Sequence, residues 1–543
     1  MTASDSKTTA TEKAVKFFLN ISLSDKMKVC LLSAGRGTRN SSIKGLHKAL
    51  LPIENKPAIS HIIDKIPNSI DVIIAVGYKA DQIKTYINEI HPTRNITFVD
   101  VDNYDGENSG PGYSLLCCEP YLQEPFVFTS IDTIIEEDYP YMECTYDWIG
   151  ASEINEDCSD KYCLIDSDAH GHLKKLYYGK GTYAYTGIAG IYDYDQFWYS
   201  LKNPKIINNE YQVINGFDGL NLQILKCTWY DIGNNESYNE VRKKFHKEVV
   251  ANKNNEALLI DNNKVTKFFD DTNRVKQRLE RCAFIPNTNI RRINDNMYSY
   301  DYIKGHMLSD VYDERILLQF LNYYIKNFYE HKGAKDDNFI CNCKLMYEQK
   351  TINRLRPLFD SDLDRIDYIN GIKVKPAQQL LKDIDWISIY DKAKPVRFHG
   401  DLQPENILYD RERHQFFVID WRESFGSSME FGDTYYDLSK LYHGLLINGT
   451  TIMQGHYNYN IIDESTAEIS FMIKNNLYNL KNIFKQFCET HNFCWQNIKL
   501  LAIVHYMSIC NLYSDFDNNR YGNFLFLYSK YLLSKWESDN VLS

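Results

Sequence analysis

The chain has 543 residues, more than a single hydrophobic core usually serves, so its length predicts two domains. Its formal net charge of -11 leaves no basic excess to neutralise a nucleic acid or an anionic membrane, and neither is expected as a partner. The 13 cysteines form no Cys-x-x-Cys pair, which favours reduced thiols in a cytoplasmic protein. Residues 1–27 read as a flexible polar tail without a signal-peptide or membrane-span pattern, so membrane insertion is not expected.

The region 28–247 alternates strand-like and helix-like patterns. Buried-strand runs occur at Lys28 to Leu32, Val72 to Val76 and Phe126 to Ser130, and helical apolar spacing separates them. This order predicts an α/β doubly wound domain that ends near residue 247.

The region 248–543 begins with two strand-like runs around an Asp261-Asn262-Asn263 turn, which predict a hairpin. A charged helix follows, and from Asp310 onward long amphipathic helices are interrupted by one β-rich patch at 396–420. The pattern predicts an α+β bilobal domain, with a small sheet lobe at about 255–308 and a helical lobe at about 309–543.

A glycine-rich segment follows the first predicted strand and reads LLSAGRGTR from Leu31 to Arg39. Gly35 and Gly37 would let backbone N–H groups approach phosphates, and Arg39 could add a charge-assisted contact. On the glycines alone, a tight turn without a ligand explains the segment equally well.

Residues further along the chain favour a phosphate-binding loop over a turn without a ligand. Lys48 opens the segment KALLPI, Asp132 follows a predicted strand, and Asp231 lies in the segment WYDIG. The ordered set resembles the sugar-phosphate and phosphocholine nucleotidyltransferase family over residues 28 to 245. One departure is His47, which stands where that family usually has proline before the lysine.

The resemblance implies that a substrate phosphate attacks the α-phosphorus of a nucleoside triphosphate and that pyrophosphate leaves. Asp132 and Asp231 would hold Mg²⁺, while Arg39 and Lys48 would offset the phosphate charges. Nucleotide contacts would come from the loop and from the start of the third helix, at Leu32, Ala34, Gly35, Gly37, Thr38 and Gly112.

The strongest motif is HGDLQPENIL from His399 to Leu408, followed by FFVIDW from Phe416 to Trp421. It resembles the choline kinase and aminoglycoside phosphotransferase family, which is related to protein kinases. The spacing puts Asp401 where a carboxylate could accept a hydroxyl proton, and Asn406 and Asp420 where both could reach Mg²⁺ beside ATP.

Other residues of this region are candidates for ATP binding, loop support and acceptor binding. Lys267 is the candidate for binding the ATP phosphates, with Glu280 as its ion-pair partner, although neighbouring lysines and glutamates could serve instead. Asp437 would cap a helix or support the catalytic loop. Four aromatic residues could form a cage for a quaternary amine, but core packing is favoured in so tyrosine-rich a chain: Trp421, Tyr435, Tyr436 and Tyr442.

Together the motifs predict a bifunctional enzyme that phosphorylates a small alcohol or sugar with ATP and couples the phosphorylated product to a nucleotide, with CTP favoured. The product would be an NDP-activated precursor for cell-surface polysaccharide or lipid. One alternative is a sugar-1-phosphate nucleotidyltransferase that uses UTP, GTP or dTTP and carries a sugar kinase. Another is that one domain is inactive and acts as a nucleotide sensor or scaffold. The sequence does not specify the acceptor or the oligomeric state. It also does not specify whether the phosphorylated intermediate passes directly between the two sites.

Overall fold

The computed structural model describes residues 27–138, 145–203, 210–245, 255–311, 313–447, 451–452, 454–472, 477–513 and 517–541. The chain forms two compact units. The first contains the described residues up to 245 together with 255–270 and Arg292–Ser299, and the second contains Asp271–Arg291 and the described residues from Tyr300 onward. The predicted tail before residue 27 and the predicted boundary near 247 lie outside the described residues.

Within the described residues, the first unit is built on a nine-stranded mixed sheet. Its strands are β1 Lys28–Ser33, β4 Val72–Val76, β5 Ile96–Asp100, β6 Phe126–Ser130, β8 Trp148–Glu153, β9 Leu164–Ser167, β10 Leu173–Tyr177, β11 Tyr183–Ile191 and β12 Gln223–Lys226. The main order is β10-β9-β11-β6-β1-β4-β5, and β8 and β12 extend the sheet beside β11. Strand β1 is parallel to β4 and β6, whereas β11 is antiparallel to β6.

Shorter strands and helices complete this unit. The strands are β2 Pro52–Ile53, β3 Lys56–Pro57, β7 Thr133–Ile135 and β13 Trp229–Asp231. The helices are α1 Ala58–Ile63, α2 Ala80–Ile90, α3 Pro111–Cys117, α4 Tyr194–Leu201 and α5 Asn235–Phe245. Alternate residues of β1 enter different cores, with Val29 and Leu31 on one face and Cys30 and Leu32 on the other. Both faces of the sheet are therefore covered, as apolar parallel strands require.

A hairpin of β14 Glu256–Asp261 and β15 Lys264–Phe269 belongs to this same unit, as does most of β17 Met297–Asp301. The sequence analysis placed this hairpin in the small lobe of the second domain. It lies in the first unit because Leu259 and Phe268 are fully buried in a core that contains Tyr86 and Ile87 of α2. A buried polar contact adds to this packing, since the Tyr86 hydroxyl donates to Asp261 over 3.4 Å.

The second unit is mainly helical. Its helices are α6 Thr272–Arg281, α7 Leu308–Val311, α8 Glu314–Tyr324, α9 Asp337–Lys344, α10 Lys350–Leu355, α11 Ala377–Lys382, α12 Trp386–Lys392, α13 Thr434–Leu446, α14 Leu477–Thr490, α15 Trp495–Ile509 and α16 Arg520–Val541. Short strands accompany them: β18 His306–Met307, β19 Tyr368–Ile369, β20 Ile372–Lys373, β21 Pro395–Arg397, β22 Ile407–Asp410, β23 Gln415–Val418, β24 Phe431–Asp433, β25 Tyr457–Ile461 and β26 Thr466–Phe471. Of the two residues of strand β16, Arg291–Arg292, the first belongs to this unit and the second to the first unit. Helices α13 and α15 are buried almost throughout, so they form the centre of this unit.

The prediction of a single β-rich patch in the helical region was wrong in one respect. Strands β25 and β26 form a hairpin that pairs with β19 and β20. The alternating Tyr457, Tyr459 and Ile461 carried the period of two that indicates a strand. No helix among the described residues is both long enough and apolar enough to span a membrane.

Candidate active sites

The glycine-rich loop of the first unit leaves the carboxyl end of β1. Gly37 has a φ of +61°, and a methyl group there would lie 2.7 Å from Cδ of Lys48. Glycine is needed at this position both for the left-handed backbone and for the close approach of the lysine. The loop is held to the next strand by the amide of Tyr78, which donates to the carbonyl of Ala34 over 2.8 Å.

Lys48 begins a short 3₁₀ turn, Lys48–Leu50, and His47 precedes it. The backbone of His47 has a φ of −69°, close to the angle that proline fixes, so the position tolerates either residue in conformation. Histidine adds two contacts: Nδ1 accepts from the amide of Ala49 over 3.1 Å, and its own amide donates to Gln82 over 3.0 Å. Burial lowers the pKa of the His47 imidazole to about 3, so the ring is neutral at physiological pH.

Two carboxylates and one ammonium group meet beside this turn. Lys48 Nζ lies 2.9 Å from Oδ2 of Asp132, just after β6. A methyl group on Gly233 would lie 2.9 Å from Oδ1 of Asp231 and 3.2 Å from Oδ2 of Asp132, so both carboxylates border one point. The pairing of β13 with β7 creates this arrangement, since it sets Asp231 opposite Thr133.

The two carboxylates differ in electrostatics. Burial disfavours the ionised form of Asp132, but the adjacent Lys48 outweighs burial and lowers its pKa. Burial raises the pKa of Asp231, and the negative charge of Asp132 raises it further. Lys48 therefore stabilises the ionised form of Asp132, whereas burial and the charge of Asp132 disfavour the ionised form of Asp231.

The other predicted residues of the first site occupy several environments. Leu32 and Ala34 are buried beneath the loop, whereas Gly35, Thr38 and Arg39 are exposed. The charge of Arg39 lowers the pKa of both aspartates. Gly112 is buried, and its amide donates to the carbonyl of Tyr211 over 2.7 Å, which leaves no room for a side chain.

Two further residues, not predicted from the sequence, position this centre. The hydroxyl of Tyr162 donates to Oδ2 of Asp231 over 3.2 Å. The side-chain amide of Asn40 donates to the carbonyl of Ile232 over 2.9 Å, which fixes the glycine-rich loop beside the Asp231 segment. No spacing signal marks Tyr162, but Asn40 directly follows Arg39 in the glycine-rich segment.

In the second unit, Asp437 holds the loop that follows β21. Its two carboxylate oxygens accept hydrogen bonds of 2.7 Å from the amides of His399 and Gly400. Helix α13 is capped by Asp433, whose side chain accepts from the amide of Tyr435, so Asp437 supports the loop and does not cap the helix. Burial raises the pKa of Asp437 to about 7, against the effect of the two amides.

His399 is fully buried and braces the same loop. Its Nε2 lies 3.0 Å from the carbonyl of Ile419, and its Nδ1 lies 3.3 Å from the amide of Asp401. Burial lowers the pKa of the imidazole to about 4, so the ring is neutral. With Nδ1 as acceptor, Nε2 carries the proton and donates to Ile419.

Asp401 is held by a lysine that the sequence analysis did not select. Lys440 Nζ lies 3.1 Å from Oδ1 of Asp401, and the side-chain amide of Gln403 donates to the same oxygen over 3.0 Å. Burial opposes ionisation of Asp401, but Lys440 keeps its pKa below the ordinary value. Lys440 follows Asp437 by three residues on one helix, so both project from the same side of α13.

Asn406 and Asp420 lie close to this loop in different ways. The side-chain amide of Asn406 donates to the carbonyl of Asp401 over 2.8 Å. Oδ1 of Asp420 accepts from Nη1 of Arg278 over 2.5 Å, and Nε of Arg278 donates to Glu423 over 2.9 Å. Helix α6 thus brings an arginine to Asp420, which the sequence analysis did not foresee.

The proposed lysine and glutamate for ATP lie in different units. Lys267 is half-buried in β15 of the first unit, opposite Leu258. Glu280 is exposed on α6 of the second unit. The roles of both residues stay predictions.

The four candidate cage aromatics are buried in the core of the second unit: Trp421, Tyr435, Tyr436 and Tyr442. Tyr442 stacks on Phe484, and the hydroxyl of Tyr435 accepts from the amide of Cys494. Core packing, the alternative favoured from composition, describes these rings.

In the part of the chain that the structure describes, no group of three or more histidine, cysteine, aspartate or glutamate side chains is arranged for a metal ion. Mg²⁺ commonly keeps several waters and binds proteins through one or two carboxylates. The Asp132 and Asp231 pair fits that requirement, because two hard oxygen donors border one point.

No model of a known protein family matches the sequence. The amino-terminal part of the chain resembles bifunctional protein GlmU of Methanocaldococcus jannaschii, with 32% identity over 114 residues, which are 21% of this chain and 26% of that protein. GlmU of Methanococcus maripaludis is 30% identical over 113 residues, 20% of this chain and 26% of that protein. The chain thus spans about a quarter of the length of these relatives.

Solved structures give weaker likenesses. CTP:phosphocholine cytidylyltransferase from Streptococcus pneumoniae is 19% identical, with a TM-score of 0.36, and the match covers 41% of this chain and all of that one. A UDP-glucose pyrophosphorylase complexed with UDP-glucose is 21% identical, with a TM-score of 0.35, and the match covers 41% of this chain and 99% of that one.

Proposed function

We propose that the chain is a bifunctional enzyme. The second unit phosphorylates a small alcohol or sugar with ATP, and the first unit couples the phosphorylated product to a nucleotide, with CTP favoured, and releases pyrophosphate. The observation that carries this proposal is that each unit has its own anionic centre fixed by a lysine: Asp132 with Lys48, and Asp401 with Lys440. The amino-terminal resemblance to GlmU supports the transferase half.

In the transferase, Lys48 and Arg39 would neutralise phosphate oxygens while an oxygen of the incoming phosphate attacks the α-phosphorus. Asp132 and Asp231 would hold Mg²⁺, which when bound offsets the negative charge of the triphosphate. The open backbone at Gly35 would let the chain approach the nucleotide closely, and Gly37 leaves room for Lys48.

In the kinase, Asp401 would accept the proton of the acceptor hydroxyl as its oxygen bonds to the γ-phosphorus and ADP leaves. Lys440 and Gln403 orient the carboxylate, and Asp437 and His399 fix the loop that carries it. Asn406 and Asp420 would hold Mg²⁺ beside ATP. Asp420 would then give up its hydrogen bond with Arg278.

The test uses the full chain with Mg²⁺, ATP, each of CTP, UTP, GTP and dTTP, and a panel of alcohols and sugars, with products identified by mass. Asp401→Asn should abolish acceptor phosphorylation and still couple a phosphorylated acceptor to the nucleotide. Asp231→Asn should do the reverse. Unchanged phosphorylation in Asp401→Asn would contradict the kinase half, and unchanged pyrophosphate release in Asp231→Asn would contradict the transferase half.

A further inference from the structure

Four basic side chains lie near Tyr436 and Asp401 in the second unit, and we call them the basic cluster: Lys350, Arg354, Arg422 and Lys440. They come from α10, from the segment after β23 and from α13. Lys440 contacts Asp401 directly and is almost fully buried. The cluster therefore borders the carboxylate to which the kinase proposal assigns the acceptor hydroxyl.

Arg422 lies against the catalytic loop itself. A methyl group on Gly400, the residue before Asp401, would lie 2.6 Å from Cβ of Arg422, and the Arg422 amide donates to the carbonyl of His399 over 3.0 Å. The guanidinium is half-buried and makes no hydrogen bond or ion pair within the residues that the structure describes. A guanidinium placed in this way can bind a planar anion through two parallel hydrogen bonds.

Lys350 and Arg354 are four residues apart on one helix and therefore project from the same side. A π-helical turn, Leu345–Gln349, precedes Lys350, a feature that is frequent at functional sites. Lys350 Nζ donates to the buried hydroxyl of Tyr436 over 2.8 Å, and Arg354 donates to the carbonyl and hydroxyl of Ser508 over 3.3 Å. These contacts hold the two cations in place, and none of them is made to a carboxylate.

The charges of this region do not balance. Asp401 pairs with Lys440, Asp437 is engaged by two backbone amides, and Asp420 and Glu423 pair with Arg274 and Arg278, so within the described part of the chain none of these carboxylates pairs with Lys350, Arg354 or Arg422. Burial lowers the pKa of Lys350 to about 8. Burial alone would raise the pKa of Tyr436, but the charges of Lys350, Arg422 and Lys440 outweigh it and lower that pKa to about 7. Partly buried cations are costly unless an anion joins them.

We propose that the kinase acceptor is an anionic alcohol, whose hydroxyl lies at Asp401 and whose carboxylate or phosphate binds Arg422, Arg354 and Lys350. This inference rests on the proposed kinase function and narrows its substrate class. A quaternary amine such as choline would be repelled by the same side chains. In the reaction, the acceptor oxygen bonds to the γ-phosphorus, the bond from that phosphorus to the bridging oxygen breaks, ADP leaves, and the hydroxyl proton passes to Asp401.

The first experiment compares acceptors of similar size and different charge. The full chain with Mg²⁺ and ATP is given glycerol, glycerate, glycerol 3-phosphate and choline, and ADP formation is measured. One of the two anions should have a kcat/KM at least about tenfold above those of glycerol and choline, and which anion it is distinguishes a carboxylate from a phosphate. A preference for choline or glycerol would overturn the inference and leave the kinase proposal standing.

The second experiment uses variants. Arg354→Gln should raise the KM of the preferred anion about tenfold or more with little change in the KM of ATP, and Arg354→Lys should recover part of the loss. Arg356→Gln is the matched control, because Arg356 is exposed near the end of the same helical segment and its side chain donates a hydrogen bond to Asn353. Equal KM values in Arg354→Gln and Arg356→Gln would contradict the assignment.

If none of these compounds is phosphorylated, the kinase proposal fails on this panel, and the anion site is then judged by binding alone. Hydrogen exchange is followed in peptides around Lys350 and Arg422 with millimolar inorganic phosphate or glycerate, with and without Arg354→Gln. Protection that appears with an anion and disappears in the variant supports the site. Exchange that no anion alters overturns it.

Discussion

The two hydrogen bonds that Asp437 accepts predict a local stability effect of definite size. The amides of His399 and Gly400 each lie 2.7 Å from one carboxylate oxygen, and the side chain is fully buried. Because burial raises the pKa of Asp437 to about 7, the comparison is made at about pH 8, where the carboxylate is ionised and a hydrogen bond to a charged group contributes about 1.5–3 kcal/mol. Asp437→Asn keeps one acceptor oxygen, so it should cost about 1.5–3 kcal/mol locally, and Asp437→Ala about twice that.

Hydrogen exchange of the full chain, read by mass spectrometry on peptides that contain His399 and Gly400, measures this effect. If the free energy of local opening of this loop falls by about 1.5–3 kcal/mol in Asp437→Asn, its amides should exchange about ten- to hundredfold faster. Acceptor phosphorylation should fall in parallel, because Asp401 follows directly in the loop. Asp362→Asn removes a fully exposed carboxylate of the same unit and serves as the control. Exchange in Asp437→Asn within about twofold of the parent chain would refute the reasoning.

Three further predictions concern single side chains. Gly37→Ala should lower the rate of pyrophosphate release about tenfold or more, because the methyl group displaces Lys48 and the left-handed backbone costs about 1–2 kcal/mol for alanine. An unchanged rate with all four nucleotides would contradict this prediction. Since the pKa of His47 is about 3 in the folded chain and about 6.5 in the unfolded chain, the first unit should lose stability as the pH falls from about 6.5 towards 3, by at most about 5 kcal/mol from this group. His47→Asn should flatten that dependence in urea unfolding, and equal slopes in both proteins would count against it. Arg278→Gln should reduce the Mg²⁺ concentration that gives half-maximal phosphorylation, because Arg278 no longer competes for Asp420; an unchanged or higher concentration would argue against Asp420 as a ligand.

Much of the first unit was predictable because its signals are local. Continuous apolar runs such as Val72–Val76 and Phe126–Ser130 indicate buried strands, and the structure has strands with those bounds. The antiparallel half of the sheet was harder, because the pairing of β11 with β6 depends on distant residues. Tyr162 was missed for the same reason, since it reaches Asp231 from 69 residues away.

The second unit shows the same limit. The motif around Asp401 is a contiguous run, but its partners Lys440 and Arg278 come from helices elsewhere in the chain. The four aromatic residues around Trp421 and Tyr436 were compatible with an amine-binding cage or with core packing, and only the tertiary structure distinguishes these alternatives. The hairpin at 256–269 was recognised as a hairpin, yet its sequence does not say which core it joins.

That hairpin also affects the order of events during synthesis. The core of the first unit closes over Leu259, Phe268 and Met297, which emerge from the ribosome after α5 has ended at Phe245. Translation at roughly 5–20 residues per second would delay completion of this core by several seconds. A protein shortened at residue 247 would therefore expose apolar surface of α2, and a chaperone that binds such surface would meet the nascent chain during the same interval.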